Sequence, residues 1–389
     1  MHPDDFRDST AGRVIRTPQN YWAFVPSPLP PRIEWTPGLV SLLSEADRSL
    51  GELAGLGGTL ANPHLLVRPF IRREAVLSSR IEGTRASLAD LYLGEALQMT
   101  LFELPDDVRE VHNYVEAMEH GLKRLEQLPV SLRLIRELHA TLLEGVRGER
   151  LTPGDFRTVQ NIVGRPGDTL ATAAFVPPPP AEMLAALDAL ERFLHAPSNL
   201  PPLVRLALIH YQFEAIHAFL DGNGRVGRLL ISLLLFAWRL LPQPLLYLSA
   251  YFEANRALYY ECLLRVSQAG EWAEWLAYFL RGVHSQAADA TARIGRLQAL
   301  REAYRQRWQR ARSAARLLQL VDLLFERPAL SIREVSRALG VGYPTAQSYV
   351  DRLVAAGILR EITGRARNRL YRADEILAAI DAPLERAPT

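Results

Sequence analysis

The twelve residues from His217 to Arg228 read HAFLDGNGRVGR and hold the side chains best suited to chemistry. An apolar run with helical spacing, residues 203–216, ends at His217. The DGNG after it cannot continue the helix, because glycine is conformationally permissive and asparagine favours turns. A second apolar helical run begins at once with Arg225. This pattern predicts a glycine-rich turn whose free N–H groups point outward from a helix N-terminus, an anion site reinforced by the helix dipole. Gly222 and Gly224 let a phosphate approach the backbone closely. Arg225 and Arg228 lie three apart on one helical face and can grip further phosphate oxygens in fork geometry. Asp221 offers a hard oxygen ligand for a Mg²⁺ that carries polyphosphate. His217, at the mouth of the turn, can take a proton from an incoming hydroxyl. A base, a metal ligand, an anion nest and paired arginines together describe nucleotidyl transfer.

Two other readings of the same residues fail. A calcium loop starting at Asp221 would need glycine at its sixth position and a glutamate at its twelfth, where Val226 and Ser232 stand. A Walker loop needs Gly-Lys followed by Ser or Thr, which is absent. Upstream, SSRIEG places Ser78 and Glu82 four residues apart, on one side of a helix that ends at Gly83.

The segment from His217 resembles the motif of the Fic family, HxFx(D/E)GN(G/K)RxxR, with Ala218 where proline is usual. GDFRTVQNIVG is similar to the family's sequence before its β-hairpin flap, and FVPPPP to its sequence after the flap. Asn113–Tyr114, HYQFEAIH and YLSAYFEANRALYYECL also resemble Fic sequence, so the likeness covers about residues 40–285. The resemblance implies transfer of AMP from ATP to a Ser, Thr or Tyr hydroxyl of a protein target, the chain itself included. By motif position it implies His217 as general base and Asp221 as Mg²⁺ ligand. Gly222, Asn223 and Gly224 would form the α/β-phosphate nest, Arg225 and Gly227 would belong to the phosphate-binding segment, and Arg228 would hold the γ-phosphate. Ser78, Glu82 and Gly83 resemble the family's inhibitory signature, (S/T)xxxE(G/N), which implies that Glu82 pairs with Arg228 and displaces the γ-phosphate. The same glutamate, orienting a water, would serve removal of AMP instead. Tyr251, Asn255, Tyr259 and Tyr260 lie where the family places its base pocket, with Asn255 and Tyr260 as the adenine candidates. Relatives that transfer phosphocholine or phosphate are the alternatives, and the complete GNGRxxR departs from the phosphate-transferring branch.

These residues need a mainly α scaffold to hold them. Helical spacing is expected near 66–82, 85–100, 105–127, 131–146, 183–194 and over much of 203–308. Residues 1–37 are proline-rich and read as an extended arm. Residues 158–163 and 172–176, with a Gly/Pro turn between them, read as a β-hairpin flap. Pro177 to Pro180 lead stiffly into the next helix. Over residues 320–376 a helix, a turn at Gly340 to Gly342, a second helix and two strand-like pieces around Gly364 match a winged helix-turn-helix. The expected organisation is an arm and helical region with the inhibitory motif (1–105), a Fic catalytic domain (106–285), a linker helix (286–315) and a winged helix-turn-helix domain (316–389).

Composition bounds the rest. Hydrophobic residues make up 48% and charged residues 23% of 389, as in a soluble globular protein. The formal net charge is +2, so no global charge calls for nucleic acid. Lys123 is the one lysine, and an arginine bias this general reads as a trait of a GC-rich genome. Arg360, Arg365, Arg367 and Arg369 nevertheless make the C-terminal wing basic, and DNA is a partner it leaves open, with a homodimer. A DNA-binding regulator with a nucleotide-sensing Fic domain is therefore the competing reading. The single cysteine, Cys262, excludes an internal disulfide framework and a cysteine zinc site. The N-terminus lacks an apolar signal region, and the apolar run 229–241 is too short to span a bilayer, so a cytoplasmic protein without a membrane partner is expected.

Overall fold

Apolar periodicity, caps and prolines set the elements of the computed structural model, which describes residues 1–7, 9–60, 62–97, 103–309, 314–365 and 367–382. In chain order they are β1 (Gly12–Arg16), β2 (Trp22–Pro26), α1 (Pro37–Gly58), α2 (His64–Ile81), α3 (Leu88–Ala96), α4 (Asp106–Arg124), α5 (Leu132–Leu142), α6 (Pro180–His195), α7 (Pro202–Ile216), α8 (Asn223–Ala237), α9 (Ser249–Ala254), α10 (Arg256–Ala269), α11 (Trp272–Trp308), α12 (Ala314–Glu326), β3 (Ala329–Ser331), α13 (Ile332–Leu339), α14 (Tyr343–Ala355), β4 (Arg360–Glu361), β5 (Leu370–Arg372) and α15 (Asp374–Asp381).

The fold is mainly helical with small antiparallel sheets. Thr36 caps α1 by accepting from Leu39 N–H, and Ser87 closes a capping box with Asp90 at the start of α3. Pro180 and Pro202 open α6 and α7 at positions where the missing N–H is harmless. Almost every residue of α7 and α8 is buried, as a helix apolar on all sides requires. These two form the centre. Around them α4 packs on α5 and α2, and α1 runs along α11.

Three expectations change. The N-terminal arm contains a hairpin, β1 pairing β2 from Gly12 opposite Pro26 to Arg16 opposite Trp22. Its prolines hide two five-residue strands whose inward side chain, Phe24, sits 5.6 Å from the rings of both Phe6 and Phe175. The flap is reduced to one bridge, with Val163 and Phe175 exchanging N–H···O bonds of 2.9 and 3.1 Å. Local side chains compete with the ladder there: Asp168 accepts from Arg165 N–H and from Thr172 Oγ1, and Thr172 accepts from Thr169 N–H. The helix expected to reach residue 100 ends at Ala96, and 98–102 lie outside the described residues.

The C-terminal elements are a three-stranded antiparallel sheet, ordered β3–β5–β4, with α13 and α14 joined through Gly340 at φ 61°. Residue 366 and residues 383–389, within the expected C-terminal domain, are not described. The sheet and helices share one continuous apolar core with the rest of the chain. α11 runs unbroken for 37 residues through the expected boundary at 285. α2 packs against α4, α9, α12 and α15. Arg68 of α2 lies 3.4 Å from Glu326 of α12, and Arg293 of α11 donates to Ile380 O at 2.7 Å. No helix among the described residues is long and apolar enough to cross a membrane.

Candidate active site

α7 ends because His217 adopts a left-handed backbone, φ 49° and ψ 59°. That conformation costs a non-glycine residue about 1–2 kcal/mol, so neighbours must hold it. Arg157 Nε and Asn161 Nδ2 both donate to His217 O, at 3.0 and 3.2 Å. Asn223 then closes the loop, accepting from Phe219 N–H at 2.9 Å and donating to Phe219 O at 2.8 Å. Beneath the loop the His139 ring stacks on Phe219 at 3.7 Å. Gly154 N–H donates to His139 Nδ1, so Nε2 carries the proton and donates to Asp221 O at 3.0 Å. Burial pushes His139 down to about 4, which keeps it neutral in this role.

The loop opens onto a cavity of 570 Å³. Its polar and charged lining includes His217, Asp221, Gly224, Arg228, Arg256 and Glu82. Its apolar lining includes Ile162, Val163 and Phe175 from the flap and Tyr211, Ala215, Leu263 and Leu264 from α7 and α10. His217 Nδ1 lies 3.3 Å from Glu214 O, and a carbonyl only accepts, so Nδ1 carries the proton and Nε2 keeps its lone pair. Burial is the main reason the imidazole is pushed down to about 4, so it is neutral and able to accept a proton at pH 7. Asp221 Oδ1 accepts from Gly222 N–H at 2.6 Å and lies 3.6 Å from Arg225.

Arg228 is 2% exposed and fully engaged on one side. Nε donates to Ser78 Oγ at 2.8 Å, and Nη2 donates to Ser78 O at 3.0 Å and to Glu82 Oε1 at 2.8 Å. Nη1 is buried without a partner. Burial works against the charge on Glu82, but Arg228 beside it holds the carboxyl below its usual range. Arg228, although buried, is pushed up by Glu82. Glu82 reaches Arg228 because α2 ends there, with Gly83 at φ 102° turning the chain away. Gly224 makes the approach possible, since a Cβ at that position would lie 2.6 Å from Glu82 Oε1.

The structure therefore brings together His217, Asp221, Gly224, Arg228, Ser78 and Glu82. It places Arg225 elsewhere. Arg225 is fully buried, outside the cavity lining, with Nη1 3.3 Å from Glu110 Oε2 of α4. Three residues along a helix leave an angle of about 60°, and that is enough to send Arg225 to α4 while Arg228 faces α2. Gly222, Asn223 and Gly227 are likewise outside the lining, and Gly227 packs against Glu214 and His210. Of the adenine candidates, Tyr260 lines the cavity and Asn255 does not. Asn255 Nδ2 donates to Tyr251 O at the break between α9 and α10. Tyr251 packs against Tyr278, and Tyr259 lines the cavity with its hydroxyl bonded to His210 at 2.8 Å.

Sequence reasoning assigned no role to Arg157, Asn161, His139, Glu110 or Glu214. Arg157 and Asn161 bond to backbone carbonyls more than fifty residues away, which no local pattern signals. The other three occupy helical positions whose type is shared by many solvated residues.

The donor set at Asp221 bears on a metal. Among the described residues no group of three or more His, Cys, Asp or Glu side chains is placed to hold an ion. A Mg²⁺ coordinated mainly by a ligand's oxygens and water needs only one or two carboxylates from a protein, and Asp221, 30% exposed, is one carboxylate at the cavity wall.

Residues 40–123 match the family model described as Fic/DOC family N-terminal, and residues 129–235 match that of the Fic/DOC family. The protein adenylyltransferase Fic of Drosophila virilis is 34% identical over 162 residues, 40% of this chain and 30% of that protein. Its counterpart in Drosophila grimshawi is 33% identical, over 40% of this chain and 31% of that protein. The chain thus spans about a third of the length of these curated relatives. A Fic family protein from Desulfovibrio desulfuricans G20 shares the fold at TM-score 0.56 and 19% identity, over 89% of this chain and 98% of that one. Fic-1 from C. elegans does so at 0.51 and 21%, over 67% and 74%.

Proposed function

Because the chain belongs to the Fic/DOC family through residues 40–123 and 129–235, we propose that it is a protein adenylyltransferase held back by its own Glu82. It transfers AMP from ATP to a Ser, Thr or Tyr hydroxyl of a protein, itself included. Residues 1–105 carry the arm and inhibitory motif, 106–285 the catalytic unit, 286–315 a linking helix and 316–389 the C-terminal module. The observation that carries the reading is the pairing of Arg228 with Ser78 and Glu82 inside the cavity that His217 and Asp221 line.

His217 Nε2 accepts the proton of the target hydroxyl as its oxygen attacks the α-phosphorus. The new P–O bond forms as the bond to pyrophosphate breaks. The first N–H groups of α8 and Arg228 carry the developing phosphate charge, which is stabilisation by preorganised donors. Asp221 would hold Mg²⁺, which supplies charge neutralisation of the polyphosphate. Arg157 and Asn161 fix the His217 backbone and hence the position of the base. While Glu82 occupies Arg228, the γ-phosphate has no clamp and ATP lies out of line.

The test is self-labelling with radioactive ATP and Mg²⁺. Glu82→Ala should label strongly, the parent chain weakly, and Glu82→Ala with His217→Ala not at all. Equal labelling of all three would overturn the reading. We propose a second role, contact with DNA, at the C-terminus. Arg365, Arg367 and Arg369 form no ion pair among the described residues, whereas Arg360 and Arg372 are both held by Asp374. Arginines without such a close carboxylate partner, in the segment beside the helix pair α13–α14, suit contact with DNA phosphates.

A further inference from the structure

Glu214 lies one helical turn before His217 and lines the same cavity. Successive turns of α7 present Tyr211, then Glu214 and Ala215, then His217. Tyr211 and His217 bracket Glu214 along the helix, and both line the cavity. At about 1.5 Å of rise per residue, Glu214 stands midway between them. A nucleotide laid with its phosphates at Arg228 and its base among Tyr211, Leu263 and Leu264 brings its sugar to Glu214.

The carboxyl is poorly satisfied by the protein. Glu214 Oε1 is buried without a hydrogen-bond partner, against Gly227, where any Cβ would overlap it. The residue as a whole is only half-buried, and the surface it keeps is in the cavity. Arg228 attracts it, but its bonded N–H groups are directed to Ser78 and Glu82. Burial pushes the carboxyl up to about 7, which reflects a shortage of donors. Oε1 is closed off against Gly227, so the exposed remainder of the carboxyl is what a ligand in the cavity meets, and an oxygen there accepts from hydroxyls that a ligand brings.

We propose that Glu214 reads the sugar of the bound nucleotide, its carboxyl accepting from the 2′ and 3′ hydroxyls, and so makes the site select ribonucleotides. This rests on the nucleotide reading of the cavity given above. The transfer itself does not use these hydroxyls, so a nucleotide without them remains a chemically competent donor.

The experiment compares ATP with 2′,3′-dideoxy-ATP as labelling substrates, by kcat/KM, in the Glu82→Ala chain. ATP should be preferred by about tenfold or more, the worth of a hydrogen bond to a charged acceptor. Adding Glu214→Ala should reduce that preference to about twofold or less. Glu214→Gln keeps one acceptor oxygen and the residue's shape, and should retain part of it. An unchanged preference in either variant, with melting showing a folded chain, makes Glu214 a packing residue against Gly227 and overturns the proposal. A change in preference between ATP and inosine triphosphate, with the ribose preference intact, moves Glu214 to the base edge and also overturns it. If the Glu82→Ala chain neither labels with ATP nor binds it in equilibrium dialysis, the nucleotide reading itself fails.

Discussion

Removing the Glu82 carboxylate should move stability and activity in opposite directions. Arg228 would keep its two bonds to Ser78 but lose its counter-ion at 2.8 Å. Breaking a buried pair by removing one partner costs about 3–5 kcal/mol, because a charge is left uncompensated. Glu82 retains 29% side-chain exposure, so water reaches the gap and the lower end, about 3 kcal/mol, applies. Unfolding entropy scales with length, and 389 residues give about 1.2 °C of melting shift per kcal/mol. Glu82→Ala should therefore melt about 4 °C below the parent chain. ATP with Mg²⁺ at a hundred times its Kd should return about 2.7 kcal/mol by occupying Arg228. Labelling should rise about tenfold or more, since ~1.4 kcal/mol of recovered phosphate binding is a factor of ten. Differential scanning calorimetry and radioactive labelling on the same preparation measure both quantities. A variant that melts at or above the parent, or that labels no better, would refute the view that Arg228 is shared between a carboxylate and a phosphate.

Four further outcomes are expected. His217→Ala, placed in the Glu82→Ala chain, should lose about 10²–10⁴-fold in transfer while still binding ATP in equilibrium dialysis; normal labelling would remove the base assignment. Because burial holds His217 down at about 4, the neutral base persists in acid, and labelling at saturating ATP should be nearly the same at pH 5.5 as at pH 7.5 in the Glu82→Ala, Glu214→Gln chain, where Glu214, itself near 7, no longer titrates. A fall of about tenfold with a midpoint near the ordinary imidazole value of about 6.5 would show that the ring is not desolvated. Glu110→Ala strands the fully buried Arg225, 3.3 Å away, and should cost about 3 kcal/mol in urea unfolding; a midpoint equal to the parent's would show that Asp221 alone suffices as counter-ion. Replacing Arg365, Arg367 and Arg369 together by Ala should flatten the salt dependence of DNA binding, and a parent chain that binds no DNA at low salt would leave the C-terminal helices as a docking module.

What the sequence shows of this site depends on how far its parts lie from one another along the chain. The turn after His217 is local: the glycines, Asn223 and the two apolar runs specify it within a few residues, and residue types alone predict a helix–turn–helix mouth there. The pairing of Glu82 with Arg228 joins positions 146 apart, and only the resemblance of SSRIEG to an inhibitory signature suggested it. The direction of Arg225 was hidden for the same reason. Its partner Glu110 is 115 residues away on α4, and a helical face read without its neighbours assigns both arginines to one ligand. Strand propensity counts Thr and Val but not the Asp168 and Thr172 bonds that hold the flap loop, so it predicts a ladder where a single bridge forms. The N-terminal strands show the opposite case, since prolines mask a pair that forms where Phe24 has a site to fill between Phe6 and Phe175.

The packing of α2 against α12 and α15 has a practical consequence for anyone shortening this chain. Leu317, Leu320 and Leu324 of α12 and Ile376 and Ile380 of α15 are fully buried, in the same apolar core that supports the helix carrying Glu82. A gene truncated after residue 315 would leave the covered sides of α2 and α11 bare, and one truncated at 285 would sever α11 in mid-helix. Either product would carry a sticky, water-exposed face and a loosened inhibitory helix, so aggregation and spurious activity would arise together. The smallest portable version of the site retains the C-terminal helices through residue 382.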